Sequence, residues 1–499
     1  MAAERRRTGV IVLLLLFCYA YFLPRWAEWN QNSRIDLTMA LVEEGRFAID
    51  SFYQNTGDYS EYGGHIYTDK APGTSLAGVP AYAAFRLIER LPPVERLMVR
   101  AAHSSAFRET LREGGTGLLT EKIRFAAMLA FVVFFTINLP SALLGGLLYR
   151  FLAEIVADWR LRFALVLGYG VGSVVWPYST VFYGHQLAAA MLFAAVVLAR
   201  SVRRGRRSER WLWTAGALLG MTVLVEFTAL PAVAMVVLYA GSGVDWRVRL
   251  GRWLRLGLAA LPFALFLGYY NATCFGSPFS SGYKYLATFH VISEYGWSGF
   301  GLPRWEAVWG VTFSPYRGLF YLSPFFLLAL PGWWAWWQAR EWRAEFWLLG
   351  GMAAMQLLIV ACWYDWMGGF AIGPRNLILT LPAWVVAVAF FLRRWGARPW
   401  ARWLFAALVV LSLGMTGVAM TGGQLFPEVT IRRPWTEYWW PNFARGDIAR
   451  NWGMAVGLRR WWSLLPLPMA MALAWWAASA APHFLPPRGK GGGEAASLR

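Results

Sequence analysis

"RRRTGVIVLLLLFCYAYFLPRW", residues 5–26, decides how the rest of the chain is read. A tribasic start followed by an apolar run fits either a cleaved secretory leader or a first membrane span. The run ends in bulky Pro24, Arg25 and Trp26, with no small-x-small cleavage site. It is therefore read as a retained span with Arg5–Arg7 on the cytoplasmic side. Everything downstream agrees with a membrane chain. Of 499 residues, 58% are hydrophobic, 15% are charged and 31 are Trp. Apolar stretches able to cross about 30 Å of hydrocarbon recur along the whole length.

The spans are expected at 9–24, 74–89, 124–138, 140–155, 163–179, 186–202, 211–227, 229–241, 254–273, 318–338, 345–362, 376–392, 403–420 and 462–480. The pairs 124–155 and 211–241 each read equally as one long kinked helix. The expected fold is an all-α polytopic membrane protein, with about 12–14 transmembrane helices. Residues 1–485 form one transmembrane domain, and 486–499 (PPRGKGGGEAASLR) a Gly-rich, disordered cytoplasmic tail. No repeat of solenoid period occurs.

The net charge of +19 would suit nucleic acid if it were spread along an exposed face. Instead the basic clusters Arg5–Arg7, Arg203–Arg210, Arg247–Arg255 and Arg393–Arg402 fall on one side of the spans. That is the positive-inside pattern, so the charge reports topology and contact with membrane lipid, and no nucleic-acid partner is expected. Both termini are placed in the cytoplasm. The three cysteines, Cys18, Cys274 and Cys362, make no disulfide framework. Cys274 and Cys362 both fall near the outer surface, which leaves one bridge open.

Once orientation is set, the long segments 25–73, 274–317 and 421–461 face outward, where loops of this length carry function. The first contains a short helix, NSRIDLTMALVEEG at 32–45, with Asn32 or Ser33 as cap and Gly45 at its end. It is too short and too charged to span and is expected along the membrane interface. Leu37, Leu41 and Glu44 share one face; Asp36, Ala40 and Glu43 share the next. Among the acids of this loop, Glu28, Glu44 and Glu61 read as surface. Asp36, Asp50, Asp58 and Asp69 remain, with Arg34 and His65 beside them.

Lysine is scarce: Lys70, Lys122, Lys284 and Lys490 stand in a chain whose other basic residues are arginine. Lys70 lies in GGHIYTDKAPG, 63–73. A compact ammonium kept among planar guanidinium groups marks a position that needs a point charge, such as a phosphate ligand. Further polar residues fall at the outer ends of spans: His185 in WPYSTVFYGH, Arg317 in TFSPYRGLFYLSP, Asp365 and Arg375 in WYDWMGGFAIGPR. Glu226 sits inside a span, in VLVEFTALP, where an ionisable group is a functional suspect. Cations gathered with carboxylates at a lipid boundary suit chemistry on a lipid phosphate. Lys70, Arg317 and Arg375 would hold the phosphate while a carboxylate takes the acceptor's proton.

At these residues the sequence resembles a known family. "YTDKAPG" (67–73) resembles the Y-x-[ED]-K-x-P motif that ends the first outer loop of C-type (GT-C) glycosyltransferases, in the branch of the lipid A aminoarabinose transferase and the protein O-mannosyltransferases. NSRIDLTMALVEEG, TGDYSEYGGHIYTDKAPG, WPYSTVFYGH, FGSPFSSGY, TFSPYRGLFYLSP and GGFAIGPR look like bacterial polyprenyl-phosphate-sugar transferases, so the resemblance spans most of the chain. It implies inverting transfer of a sugar from a polyprenyl-phosphate donor to an envelope glycan, lipid or protein, on the outer face of a bacterial cytoplasmic membrane. It also implies that Asp69 and Lys70 lie near the donor phosphate and that an acid early in the first loop is the base. The Asp-Glu pair expected directly after the first span is absent, with Asn30–Asn32 near that place. The implied base is then Asp36, Asp50 or Asp58, with Arg34, His65, Asp69, His185 and Asp365 in support.

No dinucleotide-type glycine motif opens a strand-helix unit, which favours a lipid-borne donor over a sugar nucleotide. No cofactor is expected. A divalent metal through Asp69, His65 or other loop acids stays open, but no tight ligand spacing calls for one. Two rivals remain: a ligase or polymerase moving whole glycans from a lipid diphosphate, and a transporter or flippase for lipid-linked sugars. The latter would place its polar residues near the midplane on repeated, broken helices, whereas here they gather at one boundary.

Overall fold

The structure, a computed structural model, describes residues 2–25, 28–103, 119–289, 291, 294–296 and 299–480. The tail at 486–499 lies outside the described residues. Helices form where the apolar runs are. They are α1 (Ala2–Ala20), α2 (Trp29–Glu43), α3 (Gly73–Ile88), α4 (Pro92–His103), α5 (Glu121–Leu152), α6 (Trp159–Gly170), α7 (Gly184–Arg203), α8 (Trp211–Val225), α9 (Leu230–Ala240) and α10 (Trp246–Phe275). They continue with α11 (Trp305–Thr312), α12 (Ala329–Gln338), α13 (Arg343–Cys362), α14 (Leu381–Trp395), α15 (Pro399–Thr421) and α16 (Pro466–Ser479). Among the described residues, six helices are long and apolar enough to cross a membrane, those centred on α5, α7, α10, α13, α14 and α15. Helix α10 shows what they meet: Leu250, Leu254, Leu258, Leu261, Leu265 and Tyr269 all point outward, an arrangement that lipid stabilises and water would not.

The two ambiguous pairs resolve differently. Residues 121–152 are one helix, carried through a π-turn at Phe134–Asn138. Residues 211–241 are broken, because Glu226 adopts extended backbone (φ −147°, ψ 104°) between α8 and α9. Helices α7, α8 and α10 pack in series, α12 lies on α14, and α1 lies against α5 and α16. The three cysteines are unbridged.

The all-α expectation needs one addition, a β-hairpin of β1 (Tyr59–Tyr62) and β2 (His65–Thr68). Its two-residue loop is Gly63–Gly64, both at positive φ (61° and 81°), as a primed turn requires. The short helix of the first loop is present as α2, but it does not start at Asn32 or Ser33. It begins at Trp29 after an N-cap Glu28 that makes no side-chain cap. The polar residues expected to cap it are spent on tertiary contacts: Asn32 Nδ2 donates to the Asn55 carbonyl (2.9 Å), and Ser33 Oγ bonds Thr68 Oγ1 (2.7 Å). The end at Gly45 (φ 65°) is as expected. Helix α2 is not a surface helix either, since Asn30 to Thr38 are all buried, with α3 and the hairpin packed against it.

The loops sort into two groups. Glu154 pairs with Arg200, Arg204 and Arg206, and Arg200 and Arg204 also reach Glu345. These ion pairs tie together segments assigned to the cytoplasmic side. The segments assigned outward, 25–73, 274–317, 363–375 and 421–461, meet instead around one cavity.

Candidate active site

The cavity has a volume of about 1120 Å³ and a lining of two kinds. Its charged and titratable residues include Glu28, Arg34, Asp58, Asp69, Lys70, His185, Glu226, Asp365 and Arg375. Its apolar residues include Phe279, Phe289, Ile359, Val360, Phe370 and Leu379. An amphipathic molecule with a charged head would match both.

Lys70 joins two of the acids in this lining. The hairpin delivers it: after β2 the chain turns at Asp69–Lys70, and α3 starts at Gly73. A Cβ on Gly73 would meet the backbone of Leu224 and Val225 at 2.5 Å, so only glycine lets this turn press against the break at Glu226. Lys70 Nζ lies 2.8 Å from Asp58 Oδ2 and 2.7 Å from Asp69 Oδ2. Burial alone would lower its pKa, but the two carboxylates more than offset this and the net shift is upward, so Lys70 is a cation. Its ammonium has three N–H groups, and these contacts engage two. Asp58 and Asp69 are thus bridged by a resident cation where a metal would need them free. Among the described residues no cluster of three or more His, Cys, Asp or Glu is placed to hold a metal ion.

Arg375 and Arg317 were equal candidates in sequence, and the structure separates them. Arg317 is fully buried and does not line the cavity. It donates to the carbonyls of Met367 (3.2 Å), Ala371 (2.7 Å) and Gly369 (2.9 Å), and its guanidinium stacks 4.2 Å over the Tyr316 ring. With its fork committed to backbone it clamps the 367–371 loop; it is no phosphate ligand. Arg375, which that loop leads into, lines the cavity with its Nε unpartnered and no hydrogen bond to protein from either terminal nitrogen among the described residues. Its neighbours are the Tyr183 ring at 5.6 Å and, within electrostatic reach, Asp365 and Asp58. An uncommitted guanidinium in a half-apolar cavity calls for an anionic ligand. Arg34 adds a third cation, its Nε on Asn30 Oδ1 (3.2 Å) and one terminal nitrogen on the Ala71 carbonyl (3.3 Å).

Of the three candidate bases, only Asp58 reaches the cavity. Asp36, on the far side of α2, is fully buried; one oxygen accepts from Asn55 Nδ2 (3.1 Å) and the other has no partner. Burial pushes its pKa well above the usual carboxylate range, against the pull of the Asn55 hydrogen bond. Asp50 and His65 also leave the site. They pair with each other on the outside of the hairpin (2.9 Å), where Asp50 also accepts from Ile66 N (2.8 Å) and Arg46 (3.2 Å). His185 and Glu226 come together: His185 Nδ1 lies 2.9 Å from Glu226 Oε2, and both line the cavity. Asp365 lines it too, with the Gly369 amide donating to its Oδ1 (3.2 Å).

The sequence reading missed Glu28, which is buried in the cavity wall and not on the surface. Its Oε1 accepts from Phe426 N (3.0 Å), tying the first loop to the 421–461 segment. Burial pushes its pKa up to about 7, against the pull of that amide, Arg25 and Arg375. The available signal was its place, an acid directly after the first span and three residues from Arg25. The other two acids read as surface, Glu44 and Glu61, are exposed.

No protein-family model matches this chain, and no curated protein matches it. Among solved structures it is similar to ArnT from Cupriavidus metallidurans bound to undecaprenyl phosphate. The TM-score is 0.46 and the identity 16%, over 94% of this chain and 75% of that one.

Proposed function

We propose that this chain is a membrane glycosyltransferase that moves a sugar from a polyprenyl-phosphate donor to an acceptor, with inversion, at the outer face of the bacterial cytoplasmic membrane. The observation that carries the reading is Arg375, an uncommitted guanidinium in the same cavity as Lys70, whose lining combines charged and apolar side chains. The phosphate sits between Arg375 and the free N–H of Lys70, with Arg34 nearby, and the prenyl chain follows the apolar side chains. The acceptor oxygen attacks the anomeric carbon as the bond to phosphate breaks, and both cations stabilise the charge that develops on the leaving group. The acceptor's proton goes to a base lining the cavity; of the three candidate bases read from sequence, Asp36, Asp50 and Asp58, only Asp58 lines it. The acceptor is an envelope glycan, lipid or protein, and Asp69, Asp365 and His185 support the site.

The test is a donor screen with purified protein and crude cell-envelope extract as acceptor. Release of polyprenyl phosphate from a polyprenyl-phosphate hexose or pentose, and no turnover of sugar nucleotides, is the expected result. Turnover of a sugar nucleotide alone overturns the reading. Transfer of whole glycans from a lipid diphosphate would make the protein a ligase, and lipid movement without bond cleavage a transporter.

A further inference from the structure

Several groups lining the cavity, Glu28, Asp58, His185 and Asp365, have an atom that no hydrogen bond to protein occupies among the described residues, and their surroundings differ. Asp58 is bound to Lys70 through Oδ2. Adding a proton to it would weaken that ion pair at the moment Lys70 is needed on the departing phosphate. His185 carries no such conflict. We infer that His185, oriented by Glu226, is the general base of the transfer; this rests on the glycosyl-transfer reading above.

The geometry is that of an oriented imidazole. His185 is the second residue of α7, and its ring is flanked edge-on by Tyr178 and Tyr183, with centroids at 6.0 and 6.2 Å. Glu226 is itself held, since its Oε1 accepts from Thr228 Oγ1 (3.1 Å) while Oε2 faces His185 Nδ1 at 2.9 Å. A carboxylate at Nδ1 selects the tautomer with the proton there, leaving the lone pair on Nε2. Nε2 has no protein partner among the described residues, and the ring lines the cavity. The charged groups around it are Glu226, Arg34 from α2 and Arg375 from the segment before α14.

In the step, the acceptor oxygen forms a bond to the anomeric carbon, and the bond from that carbon to the phosphate oxygen breaks with its electron pair. The phosphate leaves as an anion on Arg375 and Lys70. The acceptor's proton passes to His185 Nε2, Glu226 stabilises the imidazolium, and water removes the proton afterwards.

The experiment uses the full-length protein with the polyprenyl-phosphate sugar it accepts and envelope extract as acceptor. It measures turnover against pH and, separately, binding of polyprenyl phosphate. His185→Gln is expected to lose about a hundredfold or more in kcat, to lose the parent's rise in rate with pH, and to bind polyprenyl phosphate within about twofold of the parent. Glu226→Gln is expected to lower kcat and move that rise, also with binding kept. His185→Ala should regain rate with added imidazole, a rescue that a merely structural histidine would not show. The assignment is overturned if His185→Gln keeps the parent's kcat and pH limb, or if Asp58→Asn abolishes that limb with binding intact. Absence of imidazole rescue in a folded His185→Ala that binds polyprenyl phosphate normally also overturns it. A parent that turns over no polyprenyl-phosphate sugar removes the proposed function, and the base with it; normal turnover by both His185 variants removes the base alone.

Discussion

Lys70 Nζ lies within 2.8 Å of Asp58 Oδ2 and 2.7 Å of Asp69 Oδ2, so this lysine holds together a buried carboxylate, Asp69, and a partly buried one, Asp58, before any ligand arrives. Lys70→Ala leaves both acids without their cation. A loss of roughly 3–5 kcal/mol of stability is expected for a broken buried pair. Affinity for polyprenyl phosphate should fall by about 1.5–3 kcal/mol, or ten- to a hundredfold. Lys70→Arg should recover much of the stability and little of the affinity, because a planar fork does not fit a point-charge site. Thermal unfolding in detergent and a binding titration read the two effects separately. Parental affinity in Lys70→Ala would remove it from the phosphate site.

Arg375 and Arg317 should fail in opposite ways. Arg375→Ala is expected to keep its melting temperature and lose about 1.5–3 kcal/mol of polyprenyl-phosphate binding, as one charge-assisted contact goes. Arg317→Ala strands the carbonyls of Met367, Gly369 and Ala371 in a buried place. That should cost stability by about 1–3 kcal/mol for each carbonyl left unpaired, with any loss of binding following from the displaced loop. The same two assays decide, and a reversed pattern would contradict the placement of both.

Glu28 makes stability depend on pH. Its pKa is raised to about 7 in the folded protein by burial, against an ordinary value of 4.5. A raised acid binds its proton more tightly when folded. Its contribution is therefore full below about pH 4.5 and is lost as pH rises through about 7, worth up to about 3 kcal/mol. The parent's melting temperature should fall between about pH 4.5 and 7, and Glu28→Gln should flatten that fall. An unchanged slope in the variant would show that Glu28 ionises normally.

Asp36→Asn and Asp50→Asn should retain turnover within about threefold, since neither side chain reaches the cavity. Asp58→Asn should lose donor affinity, because it frees Lys70 from one of its two anchors. Initial rates at limiting donor compare the three. A loss of turnover at Asp36 with the fold intact would return it to the site.

Glu61 is exposed on the hairpin, beside the loop that forms the cavity. In a variant without native cysteines, Glu61→Cys should be labelled by an impermeant reagent in intact cells. Labelling only after permeabilisation would put the cavity on the wrong side of the membrane.

The helices were legible because apolar length is a local property. Runs such as 186–202 and 403–420 appear as helices Gly184–Arg203 and Pro399–Thr421, since a backbone in hydrocarbon must satisfy its own hydrogen bonds. The hairpin carried a local signal as well, the Gly63–Gly64 pair between alternating residues. Lys70 could also be singled out, because a lone lysine among arginines is a chemical choice visible in one dimension. What each arginine and aspartate does was not visible there. Arg317 and Arg375 occupy equivalent places at the ends of spans, yet one meets backbone carbonyls and the other meets a cavity. Asp36 and Asp58 lie in one loop, and only the packing of α2 against the hairpin turns the first inward and the second toward Lys70. Glu28 read as surface until the 421–461 segment closed over it, and His185 and Glu226, 41 positions apart, became a pair only through the pressing of Gly73 on the end of α8. Sequence alone determined which segments are helical, because hydropathy acts residue by residue. Tertiary structure decided the role of every charged group, because a charge's chemistry depends on which partners, how much water and which cavity the packed chain leaves beside it.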